Sequence, residues 1–180
     1  MNQYLYWKFS NAISKEQINL FLDEQSDRFL RPGLVNKNSE IKEIRAVSKI
    51  DVSEFNTLAL MLFALGIKAN RNYWNYEIEN SYQCEFLQYD GKNKGHYKGH
   101  IDSLILDNKF ERKLTVIGIL NNNFSGGDFY IQVDGNQKNY IDLDVGDVVV
   151  FPSFYLHGVE EVDLGIRKSC VTWLYGPFFN

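Results

Sequence analysis

Cysteine is nearly missing from this chain. It occurs only at Cys84 and Cys170, and two thiols cannot build the disulfide framework on which small secreted domains depend. A single bridge between them stays open, but the composition reads as that of a reduced, cytoplasmic protein. A dominant charge is lacking too. With 19 basic and 23 acidic side chains the formal net charge is −4, which gives no electrostatic case for a nucleic-acid or anionic-membrane partner. No apolar run is long enough to cross a bilayer. The opening MNQYLYWKFSNAISKEQ has no basic segment leading into an apolar one, so no signal peptide is expected. Histidine is the last scarcity: only His96, His100 and His157 are present, and any imidazole chemistry must be assembled from these.

What is present fits a globular protein. The chain has 180 residues, 44% of them hydrophobic and 15% aromatic, enough for one domain with a real core over 1–180. The first part, 1–72, reads as helical support. In SKEQINLFLDEQ, Ser14 and Gln17 have capping-box spacing, and Ile18, Phe21 and Leu22 share a face. DVSEFNTLALMLFALG predicts a second helix started by Asp51 or Ser53, striped by Phe55, Leu58, Leu62 and Leu65, and ended by Gly66. The stretch between them reads as a loop entering a short strand. From about Tyr73 the period becomes strand-like: YWNYEI, YQCEFLQY, LTVIGIL, DFYIQV, DVVVFPS, LHGVEEV and KSCVTWLY. They are divided by the turn signals DGKNKG, NNNFSGG, VDGNQ, DVGD and DLG. Two helices and then seven or eight strands predict a mainly β sandwich or barrel over about 73–176, with the helices packed on one sheet.

The chemistry-bearing residues lie in this β region. On extended backbone His100 and Asp102, two apart, point the same way. Alone the pair is weak evidence, because a surface His beside an Asp is more often solvated than ligating. His157 adds weight. It follows the buried run DVVVFPSFYL, and a histidine at the end of a core strand is held by rigid scaffold, as a metal ligand must be; the bland alternative is a core histidine satisfied by backbone. Two histidines and one carboxylate form the facial set of non-haem Fe(II) oxygenases, which leaves three coordination positions open. A turn at Asp163-Leu164-Gly165 would bring Arg167 back beside His157. Alternation then puts Arg167, Ser169, Val171 and Trp173 on one face and Lys168, Cys170 and Thr172 on the other. An arginine facing inward needs an anion, and its planar fork suits a carboxylate. The competing expectation for Arg167 is a surface ion pair with Glu160 or Glu161.

Tyr89 through GHYKGHID, then LNNNFSGGDF, then VGDVVVFPSFYLHGVEEVDLGIRKSCVTW resembles the Fe(II)- and 2-oxoglutarate-dependent dioxygenases of the prolyl 4-hydroxylase-like branch, in particular PKHD-type hydroxylases. The likeness covers roughly residues 73–176 and includes an arginine ten places after the distal histidine and a tryptophan six after that arginine. It implies a double-stranded β-helix, a jelly-roll core resembling that of the cupins. It also implies iron ligation by His100, Asp102 and His157, and an Arg167 that holds the distal carboxylate of 2-oxoglutarate. Tyr89 would line the co-substrate pocket, and Tyr97, Thr115, Ser169 and Trp173 are further pocket-lining candidates. Some relatives place a tyrosine where the alignment puts Gly118, so that contact would have to come from Tyr89 or Thr115, with Ser169 a weaker choice.

The resemblance implies hydroxylation of a C–H bond, of a prolyl or other residue in a peptide or protein, using O2 and releasing succinate and CO2, with ascorbate as a reductant. A small metabolite or a nucleobase is the alternative substrate, and a non-catalytic metal-binding jelly roll the alternative class. Nucleic-acid demethylases of this superfamily are disfavoured, since they resemble a pattern with a second arginine where this chain has Trp173. Trp173 otherwise reads as core packing, His96 as a loop residue, Gly126-Gly127 as a tight turn, and YDGKNKGHYKG as a lid at the site mouth.

Overall fold

The computed structural model describes every residue except 1–4, 34–40, 80, 81, 107, 108, 134, 136 and 180. In chain order the elements are β1 (Trp7–Phe9), α1 (Lys15–Gln25), β2 (Arg31–Pro32), β3 (Arg45–Ala46), β4 (Ser48–Val52), α2 (Thr57–Tyr73), β5 (Tyr82–Asp90), β6 (His96–His100), β7 (Ile105–Leu106), β8 (Phe110–Ile119), β9 (Phe124–Gly126), β10 (Phe129–Gln132), β11 (Asn139–Tyr140), β12 (Val148–Pro152), β13 (Leu156–Val159) and β14 (Val162–Pro177). The larger sheet runs β1-β12-β8-β14-β5-β4-β2, with β7 on β8 and β9 on β14; the smaller runs β11-β10-β13-β6-β3. Among the described residues every strand pairing is antiparallel. The architecture is the expected jelly-roll sandwich.

The larger sheet is buried on both faces, which explains why LTVIGIL and DVVVFP are nearly continuous apolar runs. One face packs under the helices, where Phe21, Leu62, Phe86, Leu114 and Leu174 meet. The other faces the smaller sheet through Tyr89, Ile131, Phe151, Val171 and Tyr175. The alternation along β14 is the one read from sequence: Cys170 joins the helix-side core, while Val171 and Trp173 join the core between the sheets. Cys84 and Cys170 are free thiols on paired strands, their Sγ atoms 3.3 Å apart. None of the described helices is long and apolar enough to cross a membrane.

The capping box of α1 forms as predicted, with Ser14 and Gln17 bonding each other's backbone. Other expectations are corrected. The second helix begins later, at Thr57, because Asn56 caps it by accepting from the Leu58 and Ala59 N–H groups. Asp51 belongs to β4, and Phe55 lies outside the core, 80% exposed. Gly66 does not end the helix. It sits inside it, where a Cβ would come within 2.9 Å of both Leu174 Cδ2 and Val116 Cγ2, so its role is close approach to the sheet. Gly66→Ala is therefore expected to lower stability by about 1 kcal/mol or more, although alanine is the better helix former. A urea midpoint measurement checks the sign.

YWNYEI is not a strand. Tyr73 closes α2, and the segment after it is irregular because the Asn70 side chain brackets Tyr76, donating to its carbonyl (2.8 Å) and accepting from its N–H (2.9 Å). The alternating aromatics there pack on the helix-side core. No turn divides 163–165 either: β14 runs through it, with Leu164 and Gly165 paired to β9. The break between β13 and β14 falls at Glu160-Glu161 without a reversal: Phe129 faces Val159 and Gly126 faces Val162, so the chain keeps its direction as it passes from the smaller sheet to the larger. Lastly, 1–72 is not purely helical support, since β1 pairs β12 and β4 pairs β5. The loop read between the helices and the VDGNQ turn lie in part outside the described residues, at 34–40 and at Asp134 and Asn136.

Candidate metal centre

His100 ends β6, His157 lies in β13, and the register pairs them directly across the smaller sheet. Neighbouring antiparallel residues present their side chains on the same face, and the two rings stand 4.3 Å apart between centroids. Past His100 the backbone leaves the sheet. The Asp102 N–H donates to the Ser153 carbonyl (2.8 Å), in the corner after β12, which aims its carboxylate at both imidazoles. One ligand atom from each of His100, Asp102 and His157 lies within 4.8 Å of the others. This clustering joins the two sheets at one end of the sandwich.

The hydrogen bonds determine which atoms face inward. His100 Nδ1 lies 2.9 Å from the Lys98 carbonyl and His157 Nδ1 2.8 Å from the Tyr155 carbonyl. A carbonyl only accepts, so each Nδ1 carries the proton and each neutral ring turns its Nε2 lone pair inward. Those Nε2 atoms meet Asp102 Oδ1 at 3.5 Å and Oδ2 at 3.3 Å. Burial opposes ionisation of Asp102, but the flanking His157 and His100, in the form that also carries a proton on Nε2, outweigh it and hold the carboxyl well below its usual range. Burial, and then the neighbouring His157, lower the His100 pKa, against the pull of Asp102. Two neutral imidazoles and a carboxylate thus direct lone pairs at one point, an arrangement a cation relieves.

The carboxylate is held from behind. Trp173 Nε1–H donates to Asp102 Oδ2 at 2.7 Å, and the Thr115 hydroxyl donates to the same oxygen at 2.9 Å. Thr115 is further tied to Ser153 Oγ at 2.9 Å. The sequence reads Trp173 as core packing or pocket lining; its indole also orients the carboxylate. The available signal was its place on the Arg167 face, but nothing local shows that the 101–103 segment folds back onto it. Tyr97 stacks on His100, with ring centroids 3.5 Å apart and planes 14° from parallel.

Asp102 and both histidines open into a cavity of about 1010 Å³ that runs between the sheets to Arg167. Arg167 is 3% exposed and pairs in register with Tyr89 across β14 and β5. Its Nη1 donates to Ser169 Oγ at 3.1 Å, and its guanidinium carbon lies 5.5 Å from the Tyr89 ring centre. Among the described residues no carboxylate forms an ion pair with it. Glu160 instead bonds Lys138 and Tyr140, and Glu161 pairs with Lys94, so the surface pair considered for Arg167 does not form. Burial lowers the Arg167 pKa from its ordinary value. Burial also pushes the Tyr89 phenol up to about 12, against the nearby Arg167 and Arg45, so it stays a neutral hydroxyl.

Not every candidate reaches the cavity. Tyr89, Tyr97, Ser169 and Trp173 line it, and Thr115 does not, because its hydroxyl is spent on Asp102 and Ser153. Ser169, ranked below Thr115 from sequence, is the hydroxyl beside Arg167. Gly118 faces the helices, where a Cβ would meet Ile13 Cδ1 at 2.7 Å, so no side chain at that position could enter the cavity. The expected lid is also corrected. None of residues 90–96 lines the cavity. Gly91–Asn93 form a 3-10 turn, Lys94 pairs with Asp163, and His96 bonds the Lys94 and Glu43 carbonyls.

No family model matches the chain. It is 32% identical over 80 residues to a PKHD-type hydroxylase of Prochlorococcus marinus (strain MIT 9515), covering 44% of this chain and 36% of that protein. It is 26% identical over 161 residues to a PKHD-type hydroxylase of Crocosphaera subtropica, covering 86% of this chain and 67% of that one. The chain thus spans about a third of the length of the first curated relative. A solved prolyl hydroxylase from Trichoplax adhaerens, in complex with a hypoxia inducible factor oxygen degradation domain peptide, superposes with a TM-score of 0.78 over 97% of this chain and 85% of that one. At 20% identity this last likeness is one of fold.

Proposed function

From a chain related in sequence to PKHD-type hydroxylases and folded as a prolyl 4-hydroxylase-like oxygenase, we propose that residues 1–180 form one Fe(II)- and 2-oxoglutarate-dependent hydroxylase unit. The overall reaction inserts one oxygen atom of O2 into a substrate C–H bond; the other enters succinate as 2-oxoglutarate loses CO2. The substrate on this reading is a prolyl or other residue of a peptide. The location is the cytoplasm, and ascorbate serves as reductant. The observation that carries the proposal is the joint geometry: three converging ligand atoms at one part of the cavity and, at another, a buried arginine with no carboxylate partner among the described residues.

On this reading His100, Asp102 and His157 would hold the ion. Ferrous iron, when bound, supplies the oxygen chemistry that amino-acid side chains lack. The protein's own residues do the rest. The Nδ1–H bonds to Lys98 and Tyr155 carbonyls fix both imidazoles in the tautomer that ligates. Trp173 and Thr115 occupy Oδ2 of Asp102 and so direct Oδ1 forward. Arg167 receives the distal carboxylate of 2-oxoglutarate, with the Ser169 and Tyr89 hydroxyls beside it. The apolar walls at Ile117, Val159 and Val171 limit water around the reacting atoms.

Anaerobic addition of Fe(II) and 2-oxoglutarate should produce the weak visible charge-transfer band, and aerobic addition should yield iron-dependent succinate. A peptide and metabolite screen read by a one-oxygen mass gain then finds the substrate. Absence of both the band and succinate overturns the reading. Trp173→Phe keeps an aromatic ring and removes the N–H. It should weaken metal binding about 10- to 100-fold, as loss of an outer hydrogen bond to a ligand does, while the far-ultraviolet dichroism is unchanged.

A further inference from the structure

The cavity wall carries five basic side chains: Arg31, Arg45, Lys49, Arg112 and Arg167. Three are matched inside the protein. Arg31 pairs with Asp51, Lys49 with Glu85 and Asp51, and Arg45 with Glu85 at 3.8 Å. Arg167 is assigned above to the co-substrate. Arg112 remains. No described carboxylate forms an ion pair with it. Its Nε donates to the Tyr175 hydroxyl at 3.1 Å and its Nη2 to Gln83 Oε1 at 3.0 Å. Gln83 also accepts from Tyr175 at 2.7 Å, which braces the assembly. A guanidinium has five N–H donors, so two are used to hold its plane and the rest have no partner among the described residues.

The placement of this plane matters. Arg112 stacks on Trp173, its guanidinium carbon 3.8 Å from the ring centre, and Trp173 is the indole that bonds Asp102. The guanidinium therefore stands one side chain away from the candidate metal ligand, in a different part of the cavity from Arg167. Arg112 and Ser103 also border a second cavity of about 320 Å³, whose other walls are Phe154, Phe179 and Glu111, the last with its charge matched by Lys113 at 2.7 Å. The two spaces meet at this arginine. A fixed, forked cation between a reactive centre and an aromatic-lined recess is built to hold a carboxylate attached to an apolar body.

We infer that Arg112 is a substrate-recognition residue and that the substrate carries a carboxylate joined to an apolar group, the carboxylate on Arg112 and the apolar part against Phe154 and Phe179. The inference deepens the hydroxylase reading and rests on it for the word substrate, but the binding site itself can be tested without turnover. The probes are 4-fluorobenzoate and 4-fluorobenzamide, matched in shape and different in charge, followed by fluorine NMR on the full chain with saturating 2-oxoglutarate and Zn(II) in place of iron.

The acid should bind at least about tenfold more tightly than the amide, the effect of a charge-assisted hydrogen bond. Arg112→Gln should bring that ratio near one. Arg112→Lys keeps the charge without the fork and should retain part of the preference, which keeps the test decisive if the glutamine variant folds poorly. Lys49→Gln, at another cation of the cavity wall, should leave the preference intact. Equal binding of acid and amide to the wild-type chain overturns the inference. So does a preference that survives Arg112→Gln, or one lost only in Lys49→Gln. An acid preference that depends on Arg112, found in a chain that gives no Fe(II)/2-oxoglutarate band, sinks the hydroxylase reading and leaves the anion site standing.

Discussion

Asp102→Ala should take iron-dependent succinate formation to background and weaken metal binding by more than about 100-fold, beyond the loss expected for an outer-shell partner. The aspartate is the single anion among the three converging ligands, and two neutral imidazoles alone would leave the charge of Fe(II) uncompensated. The same change orphans the Trp173 N–H and the Thr115 hydroxyl, both buried and both bonded to Asp102 Oδ2. Each unsatisfied group costs about 1–3 kcal/mol, so the alanine variant should also unfold at lower denaturant. Asp102→Asn separates the two effects. Its amide oxygen can still accept from Trp173 and Thr115, so stability should stay within about 1 kcal/mol of the wild type. Turnover should be lost all the same, because the anionic donor is gone. Metal titration beside urea unfolding of both variants checks the split. An Asp102→Ala chain with full iron-dependent turnover would falsify the ligand assignment.

Arg167→Met should do something a structural arginine would not: weaken 2-oxoglutarate binding about 100-fold or more while leaving the ligand-free protein as stable as before, or more stable by about 1 kcal/mol. Arg167 is 3% exposed, bonded to Ser169 and without a described carboxylate partner. Burying a charge without an anion is costly, and replacing such a group with an apolar side chain of similar length is commonly neutral or stabilising. The fully charged arrangement is made good only when a diacid arrives, where a forked guanidinium gives charge-assisted bonds of about 1.5–3 kcal/mol each. Binding isotherms for 2-oxoglutarate and thermal midpoints with and without it give both numbers. A large drop in the ligand-free midpoint would place Arg167 among structural residues.

Part of this protein can be read directly from the order of its residues. The capping box at Ser14 and Gln17, the two-residue period of β14 and the continuous apolar runs of β8 and β12 are written in near neighbours, since capping and face alternation act over a few positions. His100, Asp102, His157 and Arg167 could be listed as candidates for the same reason: their spacing and their settings at strand ends are local facts. Other features depend on distant parts of the chain. Asn70, buried in the packed face of its helix, reaches forward to the Tyr76 backbone and removes a strand that alternating aromatics predict. Leu174 and Val116, close above Gly66, explain a glycine that looked like a helix stop. The Ser153 carbonyl turns Asp102 toward the imidazoles, and Trp173, 71 positions beyond it, holds its oxygen. Local periodicity states which face of each element is apolar, but not which faces meet. That is decided by the summed packing and hydrogen bonding of segments far apart in the chain, and only there do three scattered candidate ligands and the buried Arg167 come to share one cavity.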